Sequence, residues 1–231
     1  MKTNATCTVC KSKGMTNKAR GEETRRRLIE VGLQLFAMNG FNGVSMRNLA
    51  SEAEVNLATV GYHFGGKQGL YEAILNEIIA CRDEVMPGMD VVMEKVSEYE
   101  SGTLSGEEAV AWFFRSFMSG MLSNPASIWG IMLINRELAA PSEAYSMLDE
   151  KFFSPSIDAM NMLLKAVMPD GTTFTEIMIV GTALIGIALK FVNHKAFSDR
   201  VGWDEMTPER IDIITETLCK RAVAFVCCNE A

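Results

Sequence analysis

A short run of small and hydrogen-bonding side chains stands near residue 60: Ala58, Thr59, Gly61, Tyr62 and His63. Thr and His can donate hydrogen bonds to phosphates or base edges, Tyr adds a hydroxyl and an apolar ring, and Ala can contact a thymine methyl group. Glycine within a helix costs roughly 1 kcal/mol relative to alanine, and a close approach of the backbone to DNA would account for that cost at Gly61. The run therefore favours contact with DNA, and a weakly specified surface helix is the alternative.

Catalysis is the other chemistry that His63 could perform. The sequence places no nucleophile or carboxylate partner near it, and it shares a face with the DNA-contacting candidates. The chain also shows no nucleophile–base arrangement and no phosphate-binding loop. We therefore expect no enzyme activity, no catalytic residue and no cofactor.

The six cysteines suggest neither a metal site nor a disulfide framework. Cys7 and Cys10 form a lone C-x-x-C, whereas a zinc site needs two further ligands, and neither His63 nor His194 lies near in sequence. The six do not have the density of a small secreted domain, so a reduced cytoplasm is the expected location. The roles of the Cys7/Cys10 and Cys227/Cys228 pairs stay open, and a thiol-based sensor is one alternative.

Charge is distributed unevenly along the chain. The net charge is −7, but residues 1–67 hold ten Lys/Arg and five Asp/Glu (+5), and residues 68–231 hold twelve and twenty-four (−12), which together give −7. A basic N-terminal part and an acidic C-terminal part are typical of a protein that presents one end to a polyanion. Chance asymmetry is the competing explanation.

Three helices within about 45 residues are expected to position the run near residue 60. The first carries an apolar stripe that begins at Leu28 and is expected to end near Asn39-Gly40. Ser45 is placed to cap a short second helix. This close spacing predicts a helix-turn-helix module whose third helix enters the major groove.

The third helix is expected to start at Asn56 or Leu57 and to end at Phe64, with Leu57, Val60 and Phe64 facing inward. A Gly-Gly pair then breaks the chain, and Lys67 opens a long fourth helix. The remainder is helical by pattern, including continuous helices over 141–167 and 174–193 and another over 208–227. The fold class predicted is all-α.

Residues 1–20 lack apolar periodicity and are expected to form a flexible basic arm. Residues 21–67 form the predicted DNA-binding domain, and residues 68–231 form a larger helical domain for effector binding and dimerisation. Met15 is an alternative natural start to Met1, because the helical pattern begins soon after it. The polar N-terminus predicts no secretory signal.

The segment GEETRRRLIEVGLQLFAMNGFNGVSMRNLASEAEVNLATVGYHFGGKQGLYEAIL resembles the N-terminal domain of the tetracycline-repressor (TetR) family. Two positions depart from the family pattern: Glu54 replaces the usual turn glycine, which requires a left-handed or altered turn, and Gly61 stands where a Tyr is often found. The matching positions are Phe36, Gly40, Phe41, Ser45, Leu49, Ala50, Tyr62, His63, Phe64, Lys67, Leu70 and Tyr71.

The resemblance implies specific contacts with DNA. Ser45 and Arg47 would contact it from the start of the second helix, and Lys67 would hold a phosphate, a role that its place at a helix N-terminus also favours. The third helix, from Asn56 onward, would supply the reading surface. The implied DNA-binding set is Ser45, Arg47, Asn56, Ala58, Thr59, Gly61, Tyr62, His63 and Lys67.

The segment IMLINRELAAPSEAYSML resembles the R-E-L-x-x-P-S stretch of a TetR subgroup linked to drug sensitivity and efflux control. The resemblance implies a domain that binds a small effector and dimerises through its last two helices. Apolar runs with a few embedded polar groups suit such a pocket, and an ordinary core with Arg136 and Glu137 as a structural or surface pair is the alternative. The effector-binding candidates are Phe113, Phe117, Met121, Trp129, Met132, Asn135, Arg136 and Met178.

The helices over about 174–193 and 208–226 are expected to form a two-fold dimer interface, and a buried central helix of a monomer is the alternative. Two-fold symmetry would place the recognition helices about 34–36 Å apart on a near-palindromic operator. No membrane partner is expected, because the apolar stretch from Ile177 to Leu189 is shorter than the roughly 20 residues that span a bilayer.

These features predict a DNA-binding transcriptional regulator, most simply a repressor that a small hydrophobic effector releases from a palindromic operator. A DNA-bound adaptor that acts through a protein partner is one alternative. A thiol-based sensor is the other.

Overall fold

A computed structural model describes residues 17–122 and 125–227, and within these ranges the chain contains α-helices, one π-helical turn and no strand. The all-α prediction is confirmed. The elements are α1 Asn17–Gly43, α2 Met46–Glu52, α3 Leu57–Phe64, α4 Lys67–Ala80, α5 Arg82–Val85, α6 Met89–Glu100, α7 Gly106–Leu122, α8 Pro125–Ala139, α9 Tyr145–Leu148, the π turn Asp149–Phe153, α10 Ser154–Val167, α11 Phe174–Leu189, α12 Lys195–Val201 and α13 Pro208–Cys227.

Helix α1 differs from the expectation at both ends. It begins at Asn17, inside the segment that was expected to be a flexible arm, while Cys7, Cys10 and Met15 lie outside the described residues, as does Cys228. Gly40 interrupts the helix with a left-handed φ of 72°, at the place where the sequence predicts its end. A short helical segment then continues to Gly43.

The turn between α2 and α3 confirms the expectation for Glu54, which takes a φ of 52°. A non-glycine residue in this region carries some backbone strain. The Glu54 carboxylate accepts a hydrogen bond from the Arg27 guanidinium of α1, which ties the turn to the first helix.

Helix α3 lies unusually close to the start of α4. A Cβ atom at Gly69 would stand 1.9 Å from the carbonyl oxygen of Phe64, so only glycine permits this approach. Gly65, in a left-handed conformation with φ 72°, ends α3 immediately before the contact. The glycines at positions 65 and 69 therefore allow α3 to pack closely against the start of α4.

Two hydrophobic cores share helix α8. One is built by α1–α4 and also takes in Leu133 of α8 and Leu148 of α9. The other is built mainly by α7, α10, α11 and α13, and it takes in Ile131 of α8. Helix α8 is thus packed into both halves of the molecule.

The helix expected over 141–167 begins later, at Tyr145, and is not a regular α-helix throughout, since the π turn Asp149–Phe153 separates α9 from α10. Pro155, in the first turn of α10, has no backbone N–H to donate to the preceding turn, which favours a wider turn there. The helix expected from Lys67 to Pro87 is likewise divided at Cys81 into α4 and α5. Helix α12 was not predicted.

Helix α11 begins with a reciprocal cap in which Thr173 and Glu176 bond each other's backbone N–H groups. It ends at Leu189, four residues before the expected Asn193. Over residues 17–122 and 125–227, no single helix is long and apolar enough to cross a membrane. One pair of helices, Gly106–Leu122 with Ser127–Ala139, is long and apolar enough when the two are taken together, but they are bent by 101° relative to each other.

Candidate DNA-reading surface and effector cavity

Helix α3 turns one side into the protein and the other to solvent. Val60 is fully buried, whereas Ala58, Gly61 and Tyr62 are exposed, with Tyr62 at 86%. Thr59 and His63 are half-buried at the edges of this face. A large aromatic side chain left this open is available to a partner.

Leu57 was expected to face inward and is instead 45% exposed. It occupies the first position of α3, where the helix has not yet reached the core. Phe64, the last residue of α3, is half-buried, and the Arg25 guanidinium lies 5.3 Å from its ring centroid. The inward face of α3 therefore rests chiefly on Val60.

Ser45 and Asn56 act as N-caps. The Ser45 hydroxyl accepts a hydrogen bond from the Asn48 N–H at 3.1 Å, and the Asn56 side-chain oxygen accepts one from the Ala58 N–H at 3.0 Å. The hydroxyl proton of Ser45 and the side-chain NH2 group of Asn56 remain available as donors. Arg47, in the first turn of α2, is exposed.

Lys67 starts α4, and its Nζ lies 4.5 Å from the ring centroid of Phe41. The preceding residue, Gly66, provides no side-chain cap, so the first N–H groups of α4 lack that partner. A cation beside an uncapped helix N-terminus is an arrangement that binds phosphate. The nine residues expected to contact DNA thus lie at the N-caps of α2 and α3, on these two helices and at the start of α4.

The larger half of the protein contains a cavity of about 270 Å³ between α7, α8, α10 and α11. Its walls are mostly aliphatic and aromatic, and a few polar side chains interrupt them. The lining residues are Val85, Met86, Phe117, Met121, Ile131, Ile134, Asn135, Leu138, Tyr145, Asp149, Phe152, Phe153, Ser156, Ile157, Met160, Asn161, Met178, Thr182, Ile185 and Leu189.

Four of the eight expected effector residues line this cavity: Phe117, Met121, Asn135 and Met178. The other four do not. Phe113 faces a separate cavity of about 10 Å³. The three on α8 are kept out by the orientation of that helix, because Trp129 packs against the core built by α1–α4, Met132 lies between the two cores and Arg136 points to α1.

Sequence reasoning missed the polar lining contributed by Tyr145, Asp149, Ser156 and Asn161. These residues lie on α9, the π turn and α10, where one regular α-helix was expected, and a π turn changes the helical register of the side chains on either side of it. The Ser154-Pro155 pair was the signal that could have indicated this irregularity. Ser156 Oγ and Asn161 Oδ1 are buried and have no hydrogen-bond partner among the described residues.

Arg136 and Glu137 do not pair with each other. The Arg136 guanidinium donates to the carbonyl oxygens of Ala37 at 3.4 Å and Met38 at 2.8 Å, next to the break at Gly40. A Cβ at Gly40 would stand 3.0 Å from Arg136 Nη1, so glycine also makes room for this contact.

Glu137 is only 3% exposed, and its carboxylate accepts hydrogen bonds from the Tyr71 hydroxyl of α4 and from Ser142 N–H and Oγ. Burial and the neighbouring carboxylate raise the pKa of Tyr71, so its hydroxyl stays protonated and donates. Consecutive residues of α8 thus line the cavity (Asn135), hold α1 (Arg136) and hold α4 (Glu137).

Two family models match the chain. The model of bacterial regulatory proteins of the TetR family matches residues 28–74, and that of the C-terminal domain of the HTH-type transcriptional dual regulator CecR matches residues 107–227. The first match spans most of α1, all of α2 and α3, and the first half of α4. The second spans the helices that build the cavity.

Curated relatives are transcriptional regulators and not enzymes, as predicted. The chain is 24% identical over 201 residues to the HTH-type transcriptional dual regulator CecR of Shigella flexneri, covering 86% of this chain and 89% of that protein. It is 43% identical over 54 residues to the probable HTH-type transcriptional regulator YttP of Bacillus subtilis (strain 168), covering 23% and 26%.

Solved structures share the fold. HlyIIR, a hemolysin II transcriptional regulator, matches with a TM-score of 0.55 at 20% identity, covering 86% of this chain and 98% of that one. AibR, solved with isovaleryl coenzyme A and operator DNA, matches with a TM-score of 0.60 at 14% identity, covering 88% and 97%. Since the CecR C-terminal model alone covers more than half of the chain and the TetR model covers the helix-turn-helix, the chain belongs to the TetR family of DNA-binding transcriptional regulators.

Proposed function

We propose that this regulator is a repressor that binds a near-palindromic operator as a homodimer and is released when a small amphipathic effector enters the cavity. The observation that carries the proposal is the position of α8, which lines the cavity and contacts both α1 and α4 of the DNA-binding half. A ligand that moves α8 would change the position of the helices that carry the reading surface.

The exposed face of α3 supports the DNA-reading part of the proposal. Tyr62 is 86% exposed, and Arg47 is exposed in the first turn of α2. We infer that α3 enters the major groove, that Ser45, Asn56 and Lys67 contact phosphates, and that Arg47 reads a base edge. Residues 21–67 would act as the reading unit, and the proposal locates the protein with DNA in the cytoplasm.

The cavity supports the effector part. AibR, which has the same fold, was solved with both a small molecule and operator DNA, so one TetR-like chain can hold both. The R-E-L-x-x-P-S stretch and the match to the CecR C-terminal model favour a member of the drug-sensitivity subgroup. Residues 68–231 would form the effector and dimer unit.

The outer faces of α11 and α13 support the dimer. Ile179 is 61% exposed and Phe225 is 53% exposed, and Ile187 and Ile213 are also open to solvent. Apolar side chains of this size in one region are typical of an interface. We propose that these two helices form a two-fold, four-helix contact with a second copy.

The alternative functions have less support. A protein-partner adaptor has no need of the cavity. A thiol sensor needs a reactive thiolate, but burial raises the pKa of Cys219 to about 11, and burial with Glu84 and Glu77 raises the pKa of Cys81. Both shifts disfavour the thiolate that such a sensor needs.

The proposal is tested by selecting, from a random pool, the DNA fragments that the full-length protein retains. We expect a near-palindromic consensus, and an Arg47→Ala variant is expected to bind it about tenfold more weakly in fluorescence anisotropy. Arg200→Ala, which removes an exposed arginine from α12, is the matched control and is expected to bind normally. Retention without a consensus, governed by salt alone, would contradict sequence-specific regulation.

A further inference from the structure

Among the described residues, the effector cavity has a negatively charged side chain and no positively charged one. Of the described residues that line it, Asp149 is the only charged one, and none is a Lys, Arg or His. Asp149 lies exposed at the rim, and no ion pair to a described residue neutralises it. An acidic ligand would meet an uncompensated carboxylate at the entrance and an apolar wall behind it.

Burial of an ionised carboxylate without a positive partner is strongly unfavourable. The described lining therefore offers no positively charged group to bind a carboxylate, a phosphate or the acyl thioester of a large anionic carrier. A cationic ligand avoids this cost, because it can keep its charge beside Asp149 at the rim while its apolar part enters the cavity.

Four aromatic rings line the same space: Phe117, Tyr145, Phe152 and Phe153. An ammonium group within about 6 Å of an aromatic ring is attracted to its face. The rings therefore favour a cation as well as an apolar chain, and they add nothing for an anion.

The buried polar groups favour a hydrogen-bond donor. The Asn161 side-chain NH2 group already donates to the Met178 sulfur at 3.0 Å, which leaves its Oδ1 as a buried acceptor without a partner. Ser156 Oγ, also unpartnered, can accept or donate. A ligand with N–H groups would satisfy both atoms, whereas a ligand with acceptors alone would leave Asn161 Oδ1 unsatisfied.

We propose that the cavity selects a protonated lipophilic amine and discriminates against carboxylates, through Asp149 at the rim and Asn161 and Ser156 within. This inference rests on the proposed function, since it assumes that the cavity is the effector site. It adds the charge and the hydrogen-bonding class of the effector.

Octylamine, octanol and octanoate are suitable probes, because they share one apolar chain and differ in the head group. Binding to the full-length protein is measured by calorimetry, and release of the selected operator by anisotropy. Octylamine is expected to bind about tenfold or more tightly than octanoate, with octanol between them. Asp149→Asn is expected to weaken octylamine binding about fivefold and leave octanol unchanged. The control Asp158→Asn removes an exposed carboxylate of α10 outside the lining and is expected to change neither.

The outcomes separate this inference from the proposed function. Octanoate binding as tightly as octylamine, with operator release, would overturn the charge selectivity and leave the cavity as the effector site. An octylamine affinity that Asp149→Asn does not change would overturn the role of Asp149. If none of the three probes binds the protein and none releases DNA, the cavity is not the effector site, and the selectivity inferred for it is also wrong.

Discussion

Gly61 is a residue whose role depends on the partner rather than on the protein's own packing. It lies in the interior of α3, and a Cβ added there would meet nothing within 4 Å. The protein itself therefore gives no steric reason for glycine, although glycine costs roughly 1 kcal/mol in a helix. A close approach to DNA is the explanation that fits the exposed face around it.

Gly61→Ala is therefore expected to raise the free energy of unfolding by up to about 1 kcal/mol and to weaken operator binding. Urea unfolding measures the first effect and fluorescence anisotropy the second. Gly21→Ala, in α1, also adds a methyl group into open space, and it serves as the control for helix propensity alone. Unchanged operator affinity in Gly61→Ala would show that DNA does not approach this position.

Helix α8 is the element that joins the two halves. Its Glu137 contacts Tyr71, whose ring packs edge-on against Phe41 with centroids 5.0 Å apart, and Phe41 in turn lies under Lys67 at the candidate phosphate site. Asn135, two residues before Glu137, lines the cavity. The helix therefore offers a short physical route from effector to DNA contact.

Tyr71→Phe removes the bond from α4 to Glu137, and Ser142→Ala removes another donor to the same carboxylate without affecting α4. Both variants are expected to lose roughly 1–2 kcal/mol of unfolding free energy, because each leaves Glu137 with one fewer hydrogen bond. Only Tyr71→Phe is expected to reduce the ratio of operator affinities measured without and with effector. Equal reductions in that ratio would argue against coupling through α4.

At the scale of the whole molecule, α11 and α13 carry exposed apolar side chains that we propose a second copy covers. Ile187 lies on this surface, in a groove shared with Phe114, Leu184, Leu218 and Phe225. A second copy is the partner that two-fold recognition of a palindrome would need.

Ile187→Glu is expected to convert the dimer to a monomer in light scattering and to lower operator affinity at least tenfold, because a buried charge at an interface is costly. Val201→Glu places the same charge on an exposed apolar site of α12 and is the control. A variant that stays dimeric and binds DNA normally would place the interface elsewhere.

The sequence alone determined the DNA-binding module. Ser45 and Asn56 as caps, the glycines that follow Phe64, and the left-handed turn at Glu54 are local signals, so nearby residues suffice to predict them. The all-α class followed for the same reason, since apolar periodicity reports on one helix at a time.

The tertiary structure decided the effector site. Whether Arg136 faces the cavity or α1 depends on how α8 lies between two cores, and sequence spacing does not contain that information. The same holds for Asp149 and Asn161, which line the cavity from the π turn and from α10, because their orientation depends on how this irregular helix packs against α7, α8 and α11. Caps and turns are set by neighbours along the chain, whereas a cavity is set by helices that meet from distant parts of it.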